Sequence, residues 1–205
     1  MTPRKKTKAT TVQILPLKIA EMKLRIVGDS PLICHAFDQK SEQQILDKQK
    51  GLTRVIEKKD PDECFRRSLY PIDEAKGIYG FPARGFKAAA VSACTFIEGV
   101  TKVETRGAFF VIPDYGDLVR IGGSKPRAVA HRVKIGMGTT DVRIRGQFDQ
   151  WEATLRIQYD TGNATPDQIV NLFNRAGFSI GVGEWRPERG GAGINGRFHV
   201  ELGKS

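Results

Sequence analysis

Cysteine is scarce: the 205 residues hold three, Cys34, Cys64 and Cys94, with no Cys-x-x-Cys pair. The odd count and wide spacing disfavour both a disulfide framework and a zinc ribbon, so they read as reduced thiols in a cytoplasmic protein. No run of about 18 apolar residues occurs, which excludes a helical membrane span, and no signal-type apolar run follows the basic start MTPRKKTKAT. Histidine is equally rare, at 35, 131 and 199. No paired-carboxylate, Ser-His-Asp or metal-ligand spacing stands out, so the chain reads as non-enzymatic, with no cofactor and no metal. Nucleotide-fold fingerprints are missing as well. Gly181-Val182-Gly183 follows a predicted helix where a dinucleotide fingerprint must follow a strand, and Gly203-Lys204-Ser205 lacks the earlier glycine of a P-loop. Negative charge is in deficit too: 23 Asp and Glu face 33 Lys and Arg, a net charge of +10. A polyanionic partner, most simply nucleic acid, fits that imbalance.

What is there divides into a short arm and one domain. Residues 1–16 read as a basic flexible arm, and 17–205 as a single α+β domain. In 20–27, Met22, Leu24 and Ile26 alternate with Glu21, Lys23 and Arg25, the period of a strand with one buried face. Residues 38–76 are dense in charge and poor in apolar side chains, an insertion that is either a solvated arm or a partner-binding element; Ser41–Lys50 within it reads as a short helix. Phe86, Ala90, Ala93, Cys94 and Ile97 form a helical stripe with Gly99 as its stop. Strands are predicted at 108–112, 129–135, 142–144 and 151–159, the last two joined as a hairpin by Phe148-Asp149-Gln150. Thr165-Pro166-Asp167-Gln168 is a capping box with proline at the first helical position. Ile169, Leu172, Phe173 and Ala176 make that helix's apolar stripe, Gly177 its predicted stop, and 197–202 the closing strand. Without the extra strands, the order is β-α-β-β-α-β, the plan of a ferredoxin-like or RRM-like core.

Two constellations suit a phosphate chain. In GFSIGVGEWRPERGGAGINGRF (177–198), glycines alternate with Arg186, Arg189 and Arg197. Glycine lets backbone N–H groups approach a phosphate, arginine neutralises it, and Trp185 offers a face on which a base can stack, with Phe37 as a second. The alternative is a plain flexible loop with Trp185 half buried. From 120 to 145, Arg120, Lys125, Arg127, Arg132, Lys134, Arg143 and Arg145 face a single anion, Asp141. Arg132 with Lys134, and Arg143 with Arg145, each line one strand face, either as a phosphate track or as a solvated surface. Together the two constellations predict one continuous cationic trough, read without sequence preference.

The opening strand and its small-residue turn, Phe81-Pro82-Ala83-Arg84-Gly85-Phe86-Lys87 leading into an Ala-rich helix, and a late glycine-rich loop ending Gly196-Arg197-Phe198 resemble the RAMP superfamily of CRISPR-associated proteins. Within it, the chain is most similar to the single-RRM backbone subunits that line guide RNA as a helical filament. The resemblance covers 20–37 and 77–202. It implies that Arg84 and Lys87 lie against the nucleic-acid backbone, that the 181–197 loop flanks an RNA groove, that 113–147 forms a β-hairpin thumb, and that 38–76 is the variable insertion. It further implies binding of single-stranded RNA (DNA being the alternative), head-to-tail self-association, and contact with other subunits of a CRISPR complex. Some relatives cleave RNA with an Asp or His after the first strand, where this chain has Asp29, His35 and Asp38. An endoribonuclease, a phage-encoded mimic or inhibitor of such a complex, and a phage structural protein are the competing classes.

Overall fold

The computed structural model describes residues 16–36, 43, 46–47, 49–51, 60–135, 139–188 and 193–201, with backbone alone at 134, 135 and 139. The arm, except for its last residue Pro16, and much of the first half of the charged insertion therefore lie outside the described residues.

Strand β1 (Ile19–Gly28) alternates as its sequence predicts: Leu24 and Ile26 are buried, while Glu21, Lys23 and Arg25 face solvent. A bend at Asp29-Ser30 leads to β2 (Leu32–Cys34), buried throughout. The later part of the charged insertion is folded. Helix α1 (Pro61–Ser68) starts on proline behind the N-cap Asp60, whose carboxylate accepts from the Asp62 N–H. It is followed by β3 (Tyr70–Asp73) and β4 (Ile78–Pro82). Helix α2 (Ala83–Ala93) runs into a 3₁₀ turn at Cys94–Phe96, so it stops before Ile97 and Gly99. Helix α3 (Lys102–Ala108) has a Thr101–Glu104 capping box that sequence reading overlooked. Strands β5 (Phe109–Ile112), β6 (Leu118–Gly123), β7 (Arg127–Ile135), β8 (Thr139–Phe148) and β9 (Trp151–Asp160) follow. Helix α4 (Pro166–Ser179) carries the predicted Thr165–Gln168 capping box, and β10 (Phe198–Val200) is the last described strand.

All strand pairings are antiparallel. The larger sheet has the order β10-β1-β9-β6-β4-β3, with β5 pairing β9 beyond the end of β6. Its apolar face carries Leu24, Ile26, Leu155 and Ile157, which form one core with Phe86, Ala89, Ala90 and Ala93 of α2 and Ile169, Leu172, Phe173 and Ala176 of α4. Phe86 meets Phe81 and Phe198 edge-on at 5.5 and 6.3 Å, and Phe109 meets Phe173 at 5.7 Å. Burying each such ring stabilises the fold by about 1.5–3 kcal/mol. The smaller sheet is β2-β8-β7. Leu69, just past α1, lies against β8 where a Cβ on Gly146 would come 2.3 Å from its methyl carbon, and Ser68 Oγ accepts from the Gly146 N–H at 2.7 Å.

Two expectations need correction. Phe148-Asp149-Gln150 is a turn but makes no hairpin: β8 pairs β2 and β7, whereas β9 pairs β1, β5 and β6. Both edges of β9 are already occupied, so the chain crosses there from one sheet to the other, and the hairpin is β7–β8. Gly177 does not stop α4. It lies inside the helix, where a Cβ would come 1.9 Å from the Phe198 carbonyl oxygen, so it serves the close approach of β10. The left-handed residue that ends the helix is Gly181 (φ 70°), whose N–H reaches back to the Ala176 carbonyl at 2.9 Å.

Candidate nucleic-acid interface

Strand parity decides where the hairpin's cations point. In the β7–β8 register, Val129 lies opposite Arg145, His131 opposite Arg143, and Arg132 opposite Val142. Directly opposed side chains share a face. Arg143 and Arg145 therefore share one face with Arg127, Val129 and His131, while Arg132 projects from the other. Lys134 falls at a position of Arg132's parity; its side chain is outside the described ones. The register thus sets Arg132 on the face opposite Arg143 and Arg145, so the single continuous cationic trough expected from the sequence does not form.

Several predicted cations are also held in ion pairs. Arg127 grips Asp149 in a fork, Nε to Oδ2 at 2.6 Å and Nη2 to Oδ1 at 3.0 Å, which raises the arginine's pKa and lowers the carboxylate's. Arg143 lies 3.8 Å from Asp141 and keeps 41% of its side chain in solvent. Arg186 donates to Glu188 at 3.0 and 3.2 Å and to the Gly183 carbonyl at 3.1 Å. Arg197 sits 5.2 Å from the centre of the exposed Phe178 ring. Lys87 lies over the Phe110 ring at 3.6 Å, and burial lowers its pKa. Arg84 in the first turn of α2, Lys125 between β6 and β7, and Arg132 are exposed and make no ion pair among the described residues. Arg189, Phe37 and Asp38 lie outside the described residues.

The glycine-rich loop packs on the hairpin face that carries Arg143 and Arg145. Glycine is required at 183 (φ 81°), where a Cβ would come 2.5 Å from the Ile33 carbonyl oxygen; the next N–H, that of Glu184, donates to that oxygen at 3.0 Å. The loop so anchored places Trp185 over His131, ring centroids 6.0 Å apart and tilted by 33°. Trp185 has φ 57°, the one left-handed non-glycine residue among the described ones, and it remains 40% exposed. Holding a bulky residue there costs about 1–3 kcal/mol, which the loop's other contacts must offset. His131 Nε2 is buried with no hydrogen-bond partner, and burial, with Arg145 acting in the same direction and Glu184 opposing, lowers the pKa of the ring.

Sequence reading missed how Glu184 is used. Its carboxylate meets His35 Nδ1 at 2.5 Å and Arg145 Nε at 3.1 Å, and Arg145 Nη2 lies 3.0 Å from His35 Nε2. Arg145 can only donate, so its contact with His35 is a hydrogen bond when Nε2 is unprotonated and Nδ1–H points at Glu184; when the ring is protonated, its charge acts on the carboxylate as well. Burial alone would raise the Glu184 pKa; the hydrogen bond and charge of His35, with the charge and hydrogen bond of Arg145, overcome it and hold the pKa at about 2. The Tyr70 hydroxyl donates to the His35 carbonyl at 3.0 Å. Beside this network lies a cleft of about 240 Å³ lined by His35, Tyr70, Phe81, Gly183, Glu184 and Arg186. The one available signal was an acid, Glu184, directly before Trp185 in a basic loop. Burial pushes the Cys34 thiol up to about 12, so it is no thiolate at neutral pH. Among the described residues no His, Cys, Asp or Glu cluster is placed to hold a metal ion, and no helix is long and apolar enough to cross a membrane.

No family model and no curated protein matches this chain.

Proposed function

We propose that the protein binds single-stranded nucleic acid, RNA before DNA, on the surface formed by the 181–188 loop and one face of the β7–β8 hairpin. The observation that carries this reading is Trp185: an indole kept 40% exposed by a left-handed backbone, above the hairpin row that holds His131 and Arg143. An exposed ring beside a partly solvated guanidinium suits a base and its phosphate, and stacking is worth about 1–3 kcal/mol per base whatever the base. Arg143 is the cation of this patch. Arg145 is committed to Glu184 and supports the loop.

The larger sheet supports a ferredoxin-like, RRM-like reading. Taking β1, β5, β9 and β10 with α2 and α4 alone, the chain order is β-α-β-β-α-β and the spatial order β10-β1-β9-β5. With the RAMP resemblance, this leads us to read the protein as a backbone-type subunit that assembles head-to-tail along its strand of RNA. In this reading β7–β8 is the thumb.

The test is a fluorescent single-stranded oligonucleotide titrated with wild type and Trp185→Ala, alongside the 260/280 nm absorbance ratio of the purified protein before and after RNase or DNase. We expect a high ratio that falls with RNase, and binding weakened about 5- to 100-fold by Trp185→Ala. A clean-protein ratio and no oligonucleotide binding at low salt would refute the reading.

A further inference from the structure

We infer that Glu184 is a positioning residue for the Trp185 platform: its carboxylate, shared between His35 after β2 and Arg145 on β8, fixes the orientation of the neighbouring indole over His131. The inference rests on the reading of Trp185 as a stacking surface. Its own content is conformational and is measured without nucleic acid.

A tryptophan at φ 57° returns to ordinary backbone angles unless its neighbours prevent it. On the N-terminal side, Glu184 supplies the restraint twice. Its N–H donates to the Ile33 carbonyl at 3.0 Å, and its carboxylate spans two elements, with each oxygen assigned a different partner: Oε1 to His35 and Oε2 to Arg145. On the C-terminal side, the Asn195 N–H donates to the Trp185 carbonyl at 3.1 Å. The side-chain tie is the more specific. Arg145 is 12% and Glu184 18% exposed, so solvent screens the pair little. The third contact, Arg145 to His35 Nε2, closes a triangle that sets all three planes. Residues 184 and 185 are adjacent, so a carboxylate anchored to the sheet limits the torsions open to the indole's own backbone. Because Arg145 and His131 lie on the same hairpin face, the anchor and the surface beneath the indole belong to one rigid support.

The molecule offers a clean probe. Its two tryptophans differ sharply: Trp151 is 2% exposed and donates Nε1–H to the Ser30 carbonyl at 2.8 Å, whereas Trp185 is 40% exposed. Iodide quenching therefore reads Trp185, and in protein labelled with 5-fluorotryptophan the two ¹⁹F resonances separate, with Trp185→Phe assigning them. We expect Glu184→Ala to raise the quenching constant about twofold and to shift and broaden the Trp185 line while the Trp151 line stays in place. Glu184→Asp, too short to reach both partners, should give an intermediate shift, as should His35→Ala, which removes one of the carboxylate's two partners. If the Trp185 line and quenching are unchanged in Glu184→Ala, the inference is overturned. If both tryptophan lines move together there, the variant has lost its fold, and His35→Ala and Glu184→Asp decide: an unmoved Trp185 line in both overturns the inference. The binding assay separates the two claims. Freed Trp185 in Glu184→Ala with no effect of Trp185→Ala on oligonucleotide affinity upholds the positioning role and defeats the nucleic-acid reading. Weakened binding in Trp185→Ala with an unmoved indole in Glu184→Ala does the reverse.

Discussion

The Glu184 network predicts an acid limb in the stability of this protein, and Glu184→Gln isolates it. The folded-state pKa of about 2 lies below the ordinary 4.5. With a depressed folded pKa the unfolded chain takes up the proton first. The carboxylate's contribution is therefore complete above pH 4.5, declines as pH falls, and is gone once pH passes below the folded value. At about 1.4 kcal/mol per unit the full contribution is at most about 3 kcal/mol; Glu184 and Arg145 are well shielded, whereas His35 is 41% exposed and solvent screens its share. The assay is urea unfolding followed by far-ultraviolet circular dichroism, for wild type and Glu184→Gln, at about pH 5.5 and about pH 3. Every other carboxylate titrates in both proteins, so the difference between them reports residue 184. That difference should narrow by up to about 2 kcal/mol between the two pH values, because by pH 3 the unfolded carboxylate is almost wholly protonated and the folded one is not. A difference that stays constant to within about 0.5 kcal/mol would mean that Glu184 is not held by His35 and Arg145, and the account of the loop would fail with it.

Three further outcomes follow from the packing and the register. Gly177→Ala, a change that gains about 1 kcal/mol in an exposed helix, should instead destabilise by about 1–3 kcal/mol, because the added carbon meets the Phe198 backbone; a raised melting temperature would contradict the close approach of α4 and β10. Phe86→Ala, at a fully buried ring between Phe81 and Phe198, should cost about 3–5 kcal/mol by denaturant unfolding, and a loss below about 1 kcal/mol would place Phe86 outside the core. Arg143→Gln, which removes the charge without setting a carboxylate against Asp141, should weaken oligonucleotide binding and reduce the salt slope by about one phosphate contact at a nearly unchanged melting temperature. Arg145→Glu should lower the melting temperature as well, since it sets a carboxylate against Glu184; equal thermal losses in the two variants would refute the division of roles.

Much of the scaffold is legible in short stretches. Alternation at 20–27 and 151–159 places β1 and β9, because a strand with one wet face must alternate. The Thr165-Pro166-Asp167-Gln168 run marks the start of α4 to the residue, because the capping hydrogen bonds join neighbours three positions apart. Short helices were harder to see. The high charge of residues 60–68 conceals α1, whose buried anchors are a serine and the Leu69 that follows it. The turn at 148–150 misled for a related reason: a turn signal says that the chain reverses, and leaves open which strand will lie alongside.

The amino-acid sequence by itself determined the excess of positive charge, the order of the core elements and the glycine-rich loop with its tryptophan, since each is written in composition or in contacts a few residues long. Only the tertiary structure decided which cations stay exposed and which are paired. His35 and Glu184 stand 149 positions apart, and Arg145 and His35 110; they meet because Gly183 lets the loop pack against β2 and because pairing parity turns Arg145 toward that loop and Arg132 away. A charge is exposed or neutralised according to what packs across from it, and that partner is chosen by the fold.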